Sequence, residues 1–289
     1  MRNKYRFIGW IFISLFSVTA FAQTRSPQSV EELCQSARDP ENFQRLGEQV
    51  SARMAFKNNG GLAKGGVCWW HSRLQRAAIY LTVFRPEAPK PSLAQARQII
   101  RTIKRKSGIA VIPGYTNFQE FSAAYARQIQ DILEEWQRVD GILKFHWIRG
   151  LSGSSRIHPD KLRLRMDKLY ELVTVQKKIV FQMLQLKGIV AHAWNVIGMV
   201  AVPNGYQLYV IDSNHPLSTE QYVYQYGDSS LTMGGRDFVP YTEESDELRE
   251  INRRIGRLCG FDIYPKNNIY ELDDSMELYQ ERVCASMGI

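Results

Sequence analysis

The sequence predicts an α+β protein in which helical patterns come first and strand patterns follow. Helical patterns fill most of the first two thirds of the chain, whereas residues 189–212 are rich in valine, isoleucine, tyrosine and tryptophan. Within that second region, Asn204-Gly205 between two such runs is a strong hairpin signal. The predicted organisation is a helical half at about 23–187, an antiparallel strand half at about 188–243 and a helical tail at 244–289.

Glycine and proline divide the helical half into segments. Residues 58–67 hold four glycines in ten positions and are predicted to form a loop. A helix is expected from Cys68 to about Phe84, and the segment 85–91 ends it because three prolines there remove backbone N–H donors. In the helical pattern at 159–186, apolar side chains at helical spacing predict a helix face that packs in the core. The other helical patterns cover 24–57, 92–106 and 117–138.

The segment 1–22 is predicted to be a cleavable secretory signal peptide. Three basic residues precede an apolar run at 7–21, and Ala20 and Ala22 are the small residues that a signal peptidase reads, which places the cut before Gln23. The run is short for a membrane-spanning helix, which needs about 20 apolar residues. We therefore expect a secreted or periplasmic protein with no stable membrane anchor after cleavage.

The segment that remains, 23–289, has a suitable length for a single catalytic domain. Its net charge is +5, because the signal takes three of the 37 basic residues and none of the 29 acidic ones. Solvated helix faces explain the basic clusters, and an anionic cell-envelope surface is an alternative partner. Aromatic residues are not interleaved with these clusters, so nucleic acid is not expected to bind. The clusters are Arg97, Arg101, Lys104, Arg105 and Lys106, and Lys161, Arg163, Arg165 and Lys168.

The four cysteines, Cys34, Cys68, Cys259 and Cys284, all lie after the predicted signal. Export would place them in an oxidising compartment, which favours disulfides. One interpretation is two disulfides in any of three connectivities. The other is one disulfide among Cys34, Cys259 and Cys284, with Cys68 as a reactive thiol. No Cys-x-x-Cys or paired His/Cys spacing suggests a metal site, so no metal and no cofactor is expected.

Cys68 follows the glycine-rich loop and opens a predicted helix, where unpaired backbone N–H groups favour a thiolate and can stabilise an oxyanion. His192 lies in a predicted strand, and Asp212 ends the next one. A histidine can take the proton of the thiol, and a carboxylate can hold the imidazole in the useful tautomer. These three residues are the predicted catalytic site for acyl transfer through a thioester.

The motifs around these residues, in order, resemble the papain-like cysteine peptidase superfamily, in particular bacterial members of the Cys-His-Asp type. They are G-G-V-C-W-W-H-S, H-A-W-N-V-I-G and Y-V-I-D-S-N. The resemblance implies a helical left half led by the nucleophile helix, a right half of antiparallel strands and a cleft between them. It also implies an endopeptidase acting on peptide or protein substrates. The family's oxyanion-hole glutamine is replaced by Leu62, so Asn59 is the predicted substitute and Asn58 a second choice.

The third catalytic residue depends on the strand register. A strict two-residue turn at 204–205 would place Asp212 opposite Ile197, on the sheet face away from His192. A looser loop or a bulge is needed to bring Asp212 to His192. Without it, Asn214 is the runner-up orienting residue.

Other functions remain open at the level of sequence. A transglutaminase-like enzyme or a peptidoglycan amidase would use the same residue types, although the 124 positions between Cys68 and His192 favour the papain-like layout. His71, on the same helix face as Cys68, is a second candidate base. A non-catalytic exported binding protein of the same fold, with Cys68 in a disulfide, is the alternative from another class.

Overall fold

The computed structural model of this chain describes residues 25–143, 152–243 and 245–264. The predicted signal peptide, 1–22, and Cys284 lie outside the described residues. The described part is a mixed α+β structure with eight α-helices, a two-stranded parallel sheet and a six-stranded antiparallel sheet. The α+β class expected from the order of the patterns is confirmed.

The chain enters the fold through two short helices, α1 (Val30–Ala37) and α2 (Glu41–Glu48), followed by a 3-10 turn at Val50–Ala52. Ser29 caps α1, because its hydroxyl accepts the Glu32 amide. The helical pattern expected over 24–57 is therefore interrupted, since Pro40 stands between α1 and α2, where it cannot continue the first helix.

The nucleophile helix, α3 (Cys68–Leu81), is shorter than expected and continues as strand β1 (Thr82–Arg85). β1 pairs in parallel with β2 (Ala110–Pro113), and α4 (Leu93–Arg105) makes the crossover. This half of the chain was predicted to be helical, so the small parallel sheet corrects that prediction. The β-branched Thr82 and Val83 favour an extended backbone at the point where the helix ends.

Three further helices, α5 (Phe118–Ala124), α6 (Ala126–Gln137) and α7 (Pro159–Tyr170), follow the predicted patterns. The helix expected over 159–186 is wrong beyond α7, because a π turn at Glu171–Val175 ends it and 180–185 form a strand. Every residue of that strand is buried, and periodicity cannot distinguish such a fully buried run from a buried helix.

The six-stranded sheet has the strand order β6-β5-β4-β3-β8-β7, and each pair is antiparallel. The predicted hairpin is confirmed as β4 and β5, but its turn lies one residue earlier than expected, because Val202 pairs with Gly205 around Pro203-Asn204. Within the tail predicted to be helical, the described residues form α8 (Ser245–Cys259), and 265–289 lie outside the described residues. The strands are β3 (Val180–Gln185), β4 (Ala191–Val202), β5 (Gly205–Asp212), β6 (Glu220–Gln225), β7 (Leu231–Met233) and β8 (Arg236–Glu243).

A β-bulge in β4 sets the register at the end of the strand that carries His192. The pairing shifts by one residue between Val196 and Gly198, so that Trp194 rather than Asn195 faces Asp212. Because side chains alternate along a strand, Trp194 and His192 share a face. The bulge therefore brings Asp212 to the face and the neighbourhood of His192, which a strict turn would not do.

Helix α3 is anchored to β4 by polar bonds in a buried setting. The Ser72 hydroxyl donates to the Ala193 carbonyl at 3.1 Å, and the Asn195 amide donates to the Ser72 carbonyl at 2.8 Å. Apolar residues of α3 belong to two of the hydrophobic clusters in the core. The first residue of α3, Cys68, is thereby held against the start of β4.

A disulfide joins Cys34 of α1 to Cys259 of α8 across 225 positions of sequence. This confirms a disulfide among the three cysteines proposed for it, and Cys68 is a free thiol. A disulfide is compatible with an exported protein. None of the helices in the described part of the chain is long and apolar enough to cross a membrane.

A buried ionic cluster ties α8 to the helical half. The Glu247 carboxylate, 5% exposed, contacts Arg73, Arg76 and Lys106 at 2.7–2.9 Å. Burial alone would raise the pKa of Glu247, but the three cations outweigh burial and hold that pKa far below its usual value. Arg73 also contacts Asp140 at 3.2 Å, so this cluster links α3, α4 and α8 into one unit.

Candidate active site

Cys68 is the first residue of α3 and is partly exposed. Its Sγ lies 4.0 Å from the carbonyl oxygen of Ala191, the residue before His192. The amides of the first helical turn have no partner within a helix, and the amide of His71 is the first here to bond back, to the Val67 carbonyl at 2.8 Å. The thiol therefore sits beside backbone donors and beside the strand that bears the histidine.

His192 bridges the thiol and the carboxylate. Its Nε2 lies 2.8 Å from Oδ1 of Asp212, and the carbonyl of the preceding residue, Ala191, lies 4.0 Å from the Cys68 sulfur, so Nδ1 is the ring nitrogen left for the thiol. The side chain is 8% exposed. Burial opposes the charged ring, but the hydrogen bonds and negative charges of Asp212 and Cys68 outweigh burial and raise the pKa of His192 to about 10. The arrangement favours an imidazolium beside the Asp212 carboxylate.

Asp212 is buried at the end of β5 and accepts two hydrogen bonds on Oδ1. One comes from His192, and the other comes from the backbone amide of Asn214 at 2.7 Å. Burial would raise the pKa of Asp212, but the hydrogen bond and charge of His192, together with the Asn214 amide, lower it. The side chain thus stays a carboxylate that can orient the ring.

The Asn214 side chain contacts Asn58 rather than His192. Its Oδ1 accepts from the Asn58 amide at 2.6 Å. Strict hairpin register would have favoured Asn214 as the orienting group. The structure instead places the Asp212 carboxylate against the ring, with Asn214 as a backbone donor to that carboxylate.

The two candidate oxyanion-hole asparagines have different surroundings. The Asn59 side chain is exposed, and the backbone carbonyl of Asn59 accepts from the Gln130 side-chain amide at 2.7 Å. Asn58 is half-buried, and its side-chain oxygen accepts the Val67 amide at 2.5 Å, one residue before Cys68. The side-chain oxygen of Asn58 and one of its side-chain amide hydrogens are therefore already engaged in hydrogen bonds within the protein.

Polar side chains of α6 fasten the glycine-rich loop, and the sequence analysis missed them. Gln137 bonds Leu62 and Gly66 at 2.9 Å each, and Glu134 accepts the Gly61 amide at 3.2 Å. With Gln130, these residues recur at spacings of four and three on one helix face. That polar stripe beside the apolar face of α6 is the signal that could have found them.

His71 is not arranged as a base. It is 1% exposed, and its Nε2 lies 2.9 Å from the Phe56 carbonyl. Burial lowers the pKa of His71 to about 4. The ring also packs edge-on against Phe56, so His71 serves as a neutral packing residue.

The strand half also contributes Tyr241 of β8, whose electrostatic surroundings include Cys68. Burial, together with the negative charge of Cys68, raises the pKa of Tyr241. Its hydroxyl lies 3.5 Å from the Met183 sulfur. Trp69 and Trp70, by contrast, are each 5% exposed and belong to the core. Tyr241 on β8 is therefore a further residue near the thiol that no sequence motif indicated.

Comparison of the chain with protein-family models, with curated proteins and with solved structures gives no match in any of the three. Within the described residues, no group of three or more His, Cys, Asp or Glu side chains could hold a metal ion. The chemistry of the site is therefore argued from its own residues.

Proposed function

We propose that this chain is an exported cysteine peptidase with Cys68 as nucleophile, His192 as general acid and base, and Asp212 as the orienting carboxylate. The observation that carries the proposal is the buried 2.8 Å contact between His192 and Asp212 beside a free thiol at a helix start. Perturbed titratable groups gathered in this way are typical of catalytic sites, although structural ion pairs also perturb pKa values.

The proposed reaction follows from the roles of Cys68 as nucleophile and His192 as general acid and base. The Cys68 thiolate attacks the carbonyl carbon of a peptide bond, and a C–S bond forms. Imidazolium His192 donates its Nδ1 proton to the leaving nitrogen as the C–N bond breaks. A water molecule then attacks the thioester and gives a proton to His192, and the C–S bond breaks to release the acid and restore the thiolate.

Charge on the tetrahedral intermediate falls on the substrate oxygen. The Cys68 backbone amide, at the start of α3, is the proposed principal donor. The proposed second donor is Asn59, whose exposed side chain is available to a ligand. Asn58 is a poorer donor because its side chain already bonds Val67 and Asn214.

The proposed arrangement is papain-like, with a helical half led by α3, a strand half led by β4 and β5, and the substrate cleft between them. Two observations support it. The nucleophile begins a helix that packs on the strand of the histidine, and the carboxylate comes from the next strand. The proposed substrate is a peptide or protein, with an anionic cell-envelope surface as an additional partner of the basic clusters.

The decisive experiment combines labelling with substrate profiling of the purified mature protein. Mass spectrometry after brief iodoacetamide treatment should show alkylation of Cys68 and an intact Cys34–Cys259 bond. A fluorogenic peptide library should then be cleaved by the wild type and not by Cys68→Ala, which removes only one sulfur atom. Release of peptidoglycan fragments or amide exchange without peptide cleavage would favour an amidase or a transglutaminase-like enzyme instead. An inert Cys68 with no turnover on any substrate would refute the proposal and favour a binding protein.

A further inference from the structure

We infer that Asn58 is a positioning residue that holds the loop before Cys68 against the loop that follows Asp212. The inference rests on the proposed function, because the groups that Asn58 connects are its proposed nucleophile and orienting carboxylate. The sequence motifs and the family resemblance do not assign this role to Asn58, because they point to it only as a second choice of oxyanion donor.

The first half of the connection runs from Asn58 to the helix start. Its Oδ1 accepts the Val67 amide at 2.5 Å, and Val67 is the N-cap of α3. Gly66, with φ of +89°, passes so close that a Cβ there would collide with the same oxygen. Asn58 therefore fixes the backbone immediately before Cys68.

The second half runs from Asn58 to the carboxylate. Its backbone amide donates to the Ser213 carbonyl at 2.7 Å, and its side-chain amide donates to Oδ1 of Asn214 at 2.6 Å. Asn214 in turn donates its backbone amide to Asp212 at 2.7 Å. A continuous chain of hydrogen bonds thus leads from the helix start through Asn58 and Asn214 to Asp212 and His192.

This chain has a catalytic consequence because it spans the two sides of the site. The thiol is carried by α3, whereas the histidine and the carboxylate are carried by β4 and β5. A catalytic group that is misplaced by about 1 Å can lose about 100-fold in rate. Asn58 bonds both sides at once, so it determines their separation near the chemistry, whereas Ser72 and Asn195 do so one turn further along α3.

The test uses Asn58→Ala in the mature protein, with Asn214→Ala as a second variant that removes the other partner. NMR titration of the His192 ring reports the ion pair directly. We expect its raised midpoint to fall by about one pH unit in either variant, because loosening the chain moves Asp212 away from the ring. The rate of Cys68 alkylation near neutral pH should fall by about 5- to 30-fold. The double variant should be no worse than Asn58→Ala, because both changes remove the same bond.

The matched control is Asn252→Ala on α8. Asn252 is buried and makes two hydrogen bonds to the Tyr264 backbone, at 2.9 and 3.0 Å. Its loss should lower the melting temperature and leave the His192 titration and the alkylation rate as in the wild type. A control that shifts the titration as much as Asn58→Ala would show general destabilisation and overturn the inference.

Two other outcomes separate the inference from the proposed function. A raised His192 midpoint that stays unchanged in Asn58→Ala and Asn214→Ala would refute the positioning role and leave the peptidase proposal standing. A wild-type His192 that titrates near its ordinary value would refute the ion pair itself, and with it both proposals.

Discussion

The substitution Asp212→Asn tests the orienting carboxylate most directly. The side chain is 1% exposed and lies 2.8 Å from His192, so the change removes a charge from a buried pair while preserving shape. At about 4 Å between charge centres and an effective dielectric constant of about 20, the interaction is worth about 4 kcal/mol. If the imidazolium loses this stabilisation, the chemical step slows by about 1,000-fold.

The assay is kcat and KM on the best fluorogenic peptide, together with the NMR titration of His192. The variant should lose kcat with little change in KM, because Asp212 contacts the ring rather than the proposed substrate. The His192 midpoint should fall, since one of the anions that raise its pKa is gone. Asn214→Ala is the comparison, and it should cost only about fivefold to tenfold, the loss of one hydrogen bond of ordinary strength.

Three results would refute this reasoning. If Asp212→Asn retained more than a tenth of the wild-type kcat, the carboxylate would not orient the base. If Asn214→Ala proved the more damaging change, the amide rather than the carboxylate would be the orienting group. If neither change mattered, His192 would not be the base, and His71 would be the next residue to replace.

Three further predictions concern the framework around the site. Gly66→Ala should cost about 1–3 kcal/mol of stability and slow Cys68 alkylation, because the φ of Gly66 is +89° and the new methyl group meets Asn58. The control is Gly108→Ala, where the new methyl group enters open space. Equal behaviour of the two variants would contradict the prediction. Glu247→Gln should cost about 3–5 kcal/mol near neutral pH. The folded-state pKa of Glu247 is depressed, so its contribution is present above its unfolded pKa and is lost as the pH falls below that value. The melting temperature of the wild type should therefore drop more steeply than that of the variant below about pH 4.5, and parallel curves would refute this. Cys34→Ser should lower the melting temperature by about 5–15 °C, and reductant should have no further effect on the variant; an unchanged melting temperature would show that this disulfide does not stabilise the fold.

Local patterns in the sequence were sufficient to predict much of the architecture. Glycine and proline mark chain reversals wherever they occur, so the loop at 58–67 and the hairpin near Asn204 could be located without a structure. The change from helical to extended patterns predicted the α+β class. The same local logic failed over 180–185, because a strand buried on both faces shows no alternation.

The candidate site, too, was predictable from the sequence only in part. Residue chemistry and the family resemblance together favoured Cys68, His192 and Asp212, with Asn214 as an alternative, and the structure places His192 against Asp212 and Cys68 beside the carbonyl that precedes His192. Their contact depends on a bulge of one residue in β4, which the hairpin argument could require but not locate. A bulge is a compromise between strand pairing and packing on α3, and neither is encoded within a short window of sequence.

What the sequence by itself determined is therefore the types of element, their order and the residues with suitable chemistry. Only the tertiary structure decided which cysteine joins Cys34, which carbonyl faces the thiol and that Asn58 links the two sides of the site. The physical reason is the range of each interaction. Propensities and turns act over a few residues, whereas hydrogen bonds such as that of Asn58 with Asn214 join groups 156 positions apart and exist only once the chain has folded.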